Sequence, residues 1–197
     1  MIVLGLTGSI GMGKTTAAGM LKKLGCAVHD SDKAVHSALE PYGAAFEEVA
    51  LTFPDAWDKK KHRIKRPALA EIIFKDPEKK KELENILHPV VRQDQKKFIR
   101  QQQALGKKIA VLDIPLLFET GAENRVDYTI VVSAPYYIQR RRVLSRPNMT
   151  EEKFHAILSA QMPDHEKRMR ADFVIPTSMG LAYTYNSLKK VIQEIKK

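Results

Sequence analysis

The sequence predicts an α/β fold, a parallel sheet flanked by helices, and three observations carry it. Continuous apolar runs recur at residues 2–6, 109–114 and 128–132, the pattern of strands covered on both faces. Stretches with helical spacing separate these runs, which makes βαβ units. The first run leads into a glycine-rich turn and then a helix, an order suited to holding phosphates.

Taken in order, residues 14–24 place Ala17, Met20, Leu21 and Leu24 on one helical face, with Gly25 as the stop. Residues 26–29 read as a second strand ending at Asp30-Ser31-Asp32. From 33 to 103 the chain reads mostly helical, with breaks at Pro41, Pro54, Pro67, Pro77 and Pro89; this interval is the candidate for a substrate-covering insertion. Lys59-Lys60-Lys61 reads as a solvated loop. A strand at 109–114 is stopped by Pro115, and another follows at 128–132. Residues 136–145 form an arginine-rich helix, 173–175 a last short strand and 188–195 a closing helix.

The 197 residues suit one domain with an inserted subdomain, and 44% hydrophobic with 28% charged residues is ordinary globular usage. No apolar run approaches the roughly 20 residues that span a bilayer. Residues 1–6 lack the charged leader of a signal peptide, so a cytoplasmic, membrane-free protein is expected. The single cysteine, Cys26, excludes an internal disulfide framework and a cysteine-rich metal site. Lys plus Arg number 33 against 23 Asp plus Glu, a formal charge of +10. Such a surplus attracts nucleic acid, anionic lipid or phosphorylated small molecules. With only 7% aromatic residues and no recognition-helix motif, a nucleic-acid partner is not expected.

Gly8-Ser9-Ile10-Gly11-Met12-Gly13-Lys14-Thr15 fits G-x-x-x-x-G-K-[ST] in full, between a strand and a helix. Glycines let successive N–H groups turn toward phosphate oxygens, and the helix N-terminus adds positive potential. Lys14 can reach the terminal phosphates, and the Thr15 hydroxyl can ligate Mg²⁺. Thr16 stands where the dinucleotide fingerprint needs its third glycine, so that alternative fails. Nucleoside triphosphate binding follows.

Asp30 and Asp32 would share one side of the strand end if the strand extends that far. A carboxylate there could orient an attacking hydroxyl toward the γ-phosphate. The alternative is that Asp32 caps a helix starting at Lys33. Asp113, at the end of the third strand, reads either as a metal-associated acid or as a turn residue.

The residues resemble those of the dephospho-coenzyme A kinase family. The segment from Gly8 to Thr16, His29-Asp30-Ser31-Asp32, Ile86-Leu87-His88-Pro89, Asp113-Ile114-Pro115-Leu116-Leu117-Phe118-Glu119, Ile157-Leu158-Ser159-Ala160-Gln161 and Ala171-Asp172-Phe173-Val174-Ile175 match its segments in order. The resemblance implies a P-loop kinase with a core sheet at about 1–32, 105–135 and 171–197. It further implies a helical substrate-binding insertion at about 33–104 and a lid at about 136–170. The implied reaction is transfer of the ATP γ-phosphoryl group to the ribose 3′-hydroxyl of dephospho-coenzyme A, with Mg²⁺.

On that reading Gly8, Gly11, Met12, Gly13, Lys14, Thr15 and Thr16 bind the nucleotide. Asp32 serves as base, and Lys14, Arg142 and Arg146 assist catalysis. Thr15 and Asp113 hold the metal, while Asp32, His36, Pro115 and Glu119 meet the acceptor. Arg142 and Arg146 alternatively form a solvated basic face, and His36 an exposed helix histidine. Lys167 aligns with a basic position of the family, and Arg168 competes for the same register. Pro147 departs from the family pattern, and restricts the backbone of Arg146. The rivals are a kinase of the same architecture with another acceptor, and a nucleotide-gated module acting on nucleic acid.

Overall fold

In a computed structural model describing residues 1–196, strand β1 (Ile2–Thr7) leads through the glycine-rich turn into helix α1 (Lys14–Lys23). Strand β2 (Ala27–Asp30) passes directly into α2 (Ser31–Ala38), followed by α3 (Phe46–Thr52). A small antiparallel hairpin, β3 (Trp57–Asp58) and β4 (Arg63–Ile64), carries Lys59, Lys60 and Lys61 in its tip. Then come α4 (Arg66–Lys75) and the long α5 (Pro77–Ala104). Strand β5 (Ile109–Asp113), β6 (Tyr128–Ser133) and α6 (Tyr136–Leu144) lead to α7 (Glu151–Ser159) and α8 (Asp164–Arg170). Strand β7 (Phe173–Pro176) and α9 (Leu181–Glu194) close the chain.

The sheet order is β2-β5-β1-β6-β7, and the β1–β5, β1–β6 and β6–β7 pairings are all parallel. Leu4 and Leu6 pair with Val111 and Asp113 on one side and with Tyr128 and Ile130 on the other. This central position explains why β1 reads as an unbroken apolar run. Strand β5 is buried along its whole length for the same reason.

The chain divides into two compact units, Met1–His29 with Gln102 onward, and Asp30–Gln101. In the first, Leu4, Leu6, Leu21, Val111, Ile130, Val132, Ile175 and Leu188 form a core of side chains at most 2% exposed. Each is worth roughly 1.5–3 kcal/mol of burial if large and fully covered. The second unit has its own core around Phe46, Val49, Phe53 and Leu69, joined by Leu83, Ile86 and Leu87 of α5.

Three local readings change. The second strand stops at Asp30 rather than running on to Asp32, because α2 already begins at Ser31. Pro89 lies inside α5 and does not end it. Burial of Leu83, Ile86 and Leu87 on the turns before it holds the helix together despite the lost amide. The closing helix starts at Leu181, seven residues ahead of its regular apolar spacing, with Thr184 buried in its first turns.

Candidate active site

The site grows out of the C-terminal end of β1, the edge where parallel α/β sheets bind ligands. Thr7 is fully buried, and its hydroxyl donates to Pro115 O at 2.9 Å, tying the end of β1 to the segment after β5. Gly8 lies flush against β6: a Cβ there would come within 2.5 Å of Val132 Cγ2 and 2.8 Å of Val132 O. Gly11 adopts φ +78°, and a Cβ would also sit 2.6 Å from Val143 Cγ2 and 3.0 Å from Gln139 O. Conformation and space both demand glycine at position 11. Met12 is buried and accepts the Ala134 N–H on its sulfur at 3.1 Å. Gly13 precedes α1 with no side-chain cap, so the helix N-terminus offers its amides and positive end to an anion.

Lys14 and Asp113 form an ion pair, with their side chains 17% and 8% exposed. The fold therefore brings together the loop lysine and the acid at the end of the neighbouring β5, as their shared sheet edge requires. Thr15 and Thr16 stand exposed on the first turn of α1. The Thr15 hydroxyl and the Asp113 carboxylate are hard oxygen donors, the kind that suits Mg²⁺. Among the described residues no three His, Cys, Asp or Glu side chains gather to hold a metal by themselves. A divalent ion would thus complete its shell with nucleotide phosphate and water oxygens, as Mg²⁺ commonly does.

Arg142, on the last turn of α6, is part of the loop's frame. Its guanidinium donates to Thr177 O at 2.7 Å, to Thr177 Oγ1 at 3.0 Å and to Gly11 O at 3.4 Å. The Thr177 hydroxyl in turn donates to Met12 O at 2.8 Å. Arg146 is exposed just beyond α6, and its backbone N–H reaches Val143 O at 3.0 Å. Pro147 and left-handed Asn148 (φ 59°) then turn the chain, with the Met149 N–H directed at Arg146 O at 3.4 Å. Proline followed by a left-handed asparagine suits the central positions of a type II turn.

Pro115 and Glu119 follow β5. Glu119 Oε1 receives Lys167 Nζ at 2.8 Å and the Met162 N–H at 2.8 Å. Lys167, rather than exposed Arg168, is the inward basic residue, its side chain completely buried.

Asp32 and His36 lie exposed on α2 of the second unit. Asp30 is the N-cap of that helix, its Oδ1 accepting the Lys33 N–H at 3.1 Å. The capping alternative for Asp32 is therefore corrected: the helix starts two residues earlier, and Asp30 takes the role.

Thr177, Gln139 and Gln161 complete the frame of the loop. Gln139 Nε2 donates to Ile10 O at 2.8 Å, and Gln161 Oε1 accepts the Ile10 N–H at 3.1 Å. No spacing rule marks Thr177 or Gln139. The only sequence signal of Thr177 is a polar residue just past an apolar strand end, and Gln139 stands unmarked in an arginine-rich helix.

A parallel sheet with the loop at its central strand, a lysine–acid pair at the sheet edge and an arginine from the following helix define a P-loop kinase. The family profile for dephospho-CoA kinase matches residues 2–182. The chain belongs to the dephospho-CoA kinase family. A dephospho-CoA kinase from Brucella melitensis is 50% identical over 195 residues, covering 99% of this chain and 94% of that protein. A crystal structure from Thermus thermophilus superposes with a TM-score of 0.85 at 38% identity, covering 98% of this chain and 97% of the other. The dephospho-CoA kinase from Campylobacter jejuni gives 0.71 at 31% identity, over 98% and 96%. Among the described residues no helix is long and apolar enough to cross a membrane.

Proposed function

We propose that this chain transfers the γ-phosphoryl group of ATP to the ribose 3′-hydroxyl of dephospho-coenzyme A, giving ADP and coenzyme A. The observation that carries the reading is the family match over residues 2–182, spanning a phosphate loop whose Gly8 and Gly11 leave no room for a side chain. Gly8, Gly11, Met12, Gly13, Lys14, Thr15 and Thr16 cradle the triphosphate through backbone amides and the positive end of α1. Lys14 is held ready by Asp113 and turns its ammonium to the terminal phosphates.

Thr15 and Asp113 would hold Mg²⁺ together with phosphate oxygens, and the ion would supply neutralisation of the phosphate charge. Arg142 steadies Gly11 and offers guanidinium charge to the transferring group, and exposed Arg146 adds a second cation from the proposed lid at 136–170. Asp32, exposed and released from capping, accepts the proton of the 3′-hydroxyl and orients its oxygen for attack. His36 and Pro115 shape the acceptor's surroundings, to which Glu119 contributes only through the Met162 and Lys167 segment it holds, and residues 33–104 form the proposed acceptor subdomain.

The test is an acceptor that keeps every group except the reacting one. Dephospho-coenzyme A with a 3′-deoxyribose should compete with the natural acceptor and receive no phosphoryl group. Phosphorylation of that analogue elsewhere on the molecule would refute the 3′ assignment.

A further inference from the structure

Ile10, the third residue of the phosphate loop, is gripped on both of its polar backbone groups by glutamine side chains. Gln139 of α6 donates to its carbonyl at 2.8 Å, and Gln161, beyond α7, accepts from its N–H at 3.1 Å. A trans peptide is planar, so fixing the Ile10 carbonyl aims the Gly11 N–H the opposite way. The two contacts thus set the direction in which the loop presents its amides. Gln139 is 4% exposed and locked in the core. Gln161 stands on a connection between α7 and α8, where a side chain needs external support to keep one position.

That support is the Glu119–Lys167 pair. Glu119 Oε1 takes the N–H of Met162, the residue next to Gln161, and the same oxygen takes Lys167 Nζ. Lys167 also points at Pro115 O at 3.4 Å, and Pro115 O accepts the Thr7 hydroxyl at the end of β1. A lysine with no exposed side-chain surface is held against a large desolvation penalty unless it is paired, so an ion pair is an unusual way to hold a surface loop. Packing alone would use an apolar residue there. The charge is explained if the carboxylate must stay in one place.

We propose that Glu119 and Lys167 are a positioning pair for Gln161 and, through it, for the Ile10 amide of the phosphate loop. The pair sets ATP binding geometry without touching the reacting atoms. This rests on the kinase reading, but one of its readouts does not depend on turnover.

Gln161→Leu and Glu119→Gln are made singly and together, with Lys167→Met as a further single variant. Each single variant should raise the KM for ATP by about five- to tenfold, the scale of one neutral hydrogen bond, with kcat changed less than about threefold. The double variant should be no worse than the poorer single one, because the residues act in series. In ¹⁵N-labelled protein the Ile10 and Gly11 amide resonances should move in Glu119→Gln as they do in Gln161→Leu. If Lys167→Met or Glu119→Gln fails to fold because one buried charge is left unpaired, the combined variant Glu119→Gln/Lys167→Met, which removes both charges, takes its place, and the same movement of the Ile10 and Gly11 resonances is expected. Fold-changes that multiply in the double variant would overturn the proposal. So would Ile10 and Gly11 resonances left in place by Glu119→Gln. A protein that phosphorylates a different acceptor but shows the coupled ATP effect would sink the acceptor assignment and leave the pair's role standing.

Discussion

The Asp30 carboxylate caps α2 by accepting the Lys33 N–H at 3.1 Å, and this leaves Asp32, the second residue of the same helix, without that duty. Two aspartates that look interchangeable in sequence therefore carry different loads. Asp30 holds the backbone. Asp32 presents an exposed carboxylate that makes no hydrogen bond or ion pair among the described residues.

The two positions should separate cleanly on mutation. Asp32→Asn should lower turnover by roughly 10²-fold or more, the scale of a lost general base, while thermal unfolding stays near that of the wild type. Asp30→Ala should destabilise the protein by about 0.5–2 kcal/mol through the lost cap. Stability loss at Asp32 with normal turnover of the folded fraction would reverse the assignment.

Lys14→Ala should remove most turnover. It also removes the ammonium that pairs with the nearly buried Asp113 carboxylate, which should lower the midpoint of thermal unfolding. Adding Asp113→Asn should recover part of that stability and none of the activity. Calorimetry and steady-state rates on the single and double variants read the two effects apart.

Gly11→Ala introduces a Cβ at φ +78°, 2.6 Å from Val143 Cγ2. Strain of about 1–3 kcal/mol follows, and the loop must shift to relieve it. Nucleotide titration should show weakened ATP binding, and thermal unfolding a lowered midpoint. Wild-type affinity would mean that the loop conformation does not govern binding.

Burial pushes the Cys26 thiol up, against the smaller opposing pull of Lys196 and Lys107. The folded state keeps the proton longer than the unfolded chain does. The resulting stability is complete below the usual thiol range, near pH 8.5, and is lost as pH rises through the raised value. Iodoacetamide should alkylate native Cys26 slowly near pH 8.5 and the urea-unfolded chain quickly. Equal rates would place the thiol at the surface.

Much of the architecture was legible because each signal was local. The apolar runs that mark β1, β5 and β6 come from strands with neighbours on both sides, and the G-x-x-x-x-G-K-[ST] spacing mirrors the turn that Gly8 and Gly11 make possible. What escaped the sequence depends on partners far along the chain. Asp32 could be distinguished from Asp30 only by seeing where α2 starts, and boundaries shift easily by one or two residues. Pro89 read as a break because its missing amide is a local fact, whereas the packing of Leu83, Ile86 and Leu87 that overrides it is tertiary. Lys167 and Arg168 are equivalent in composition; only the fold buries one against Glu119. Thr177 serves Arg142 and Met12 across 35 and 165 residues, a separation that no motif encodes.

The most direct measurement is mass spectrometry of a single incubation holding ATP, Mg²⁺, dephospho-coenzyme A and a panel of common nucleosides with the purified chain. The expected result is coenzyme A and ADP in equal amounts, with the nucleosides untouched. Dephospho-coenzyme A left unchanged while a nucleoside gains a phosphoryl group would contradict the proposed acceptor.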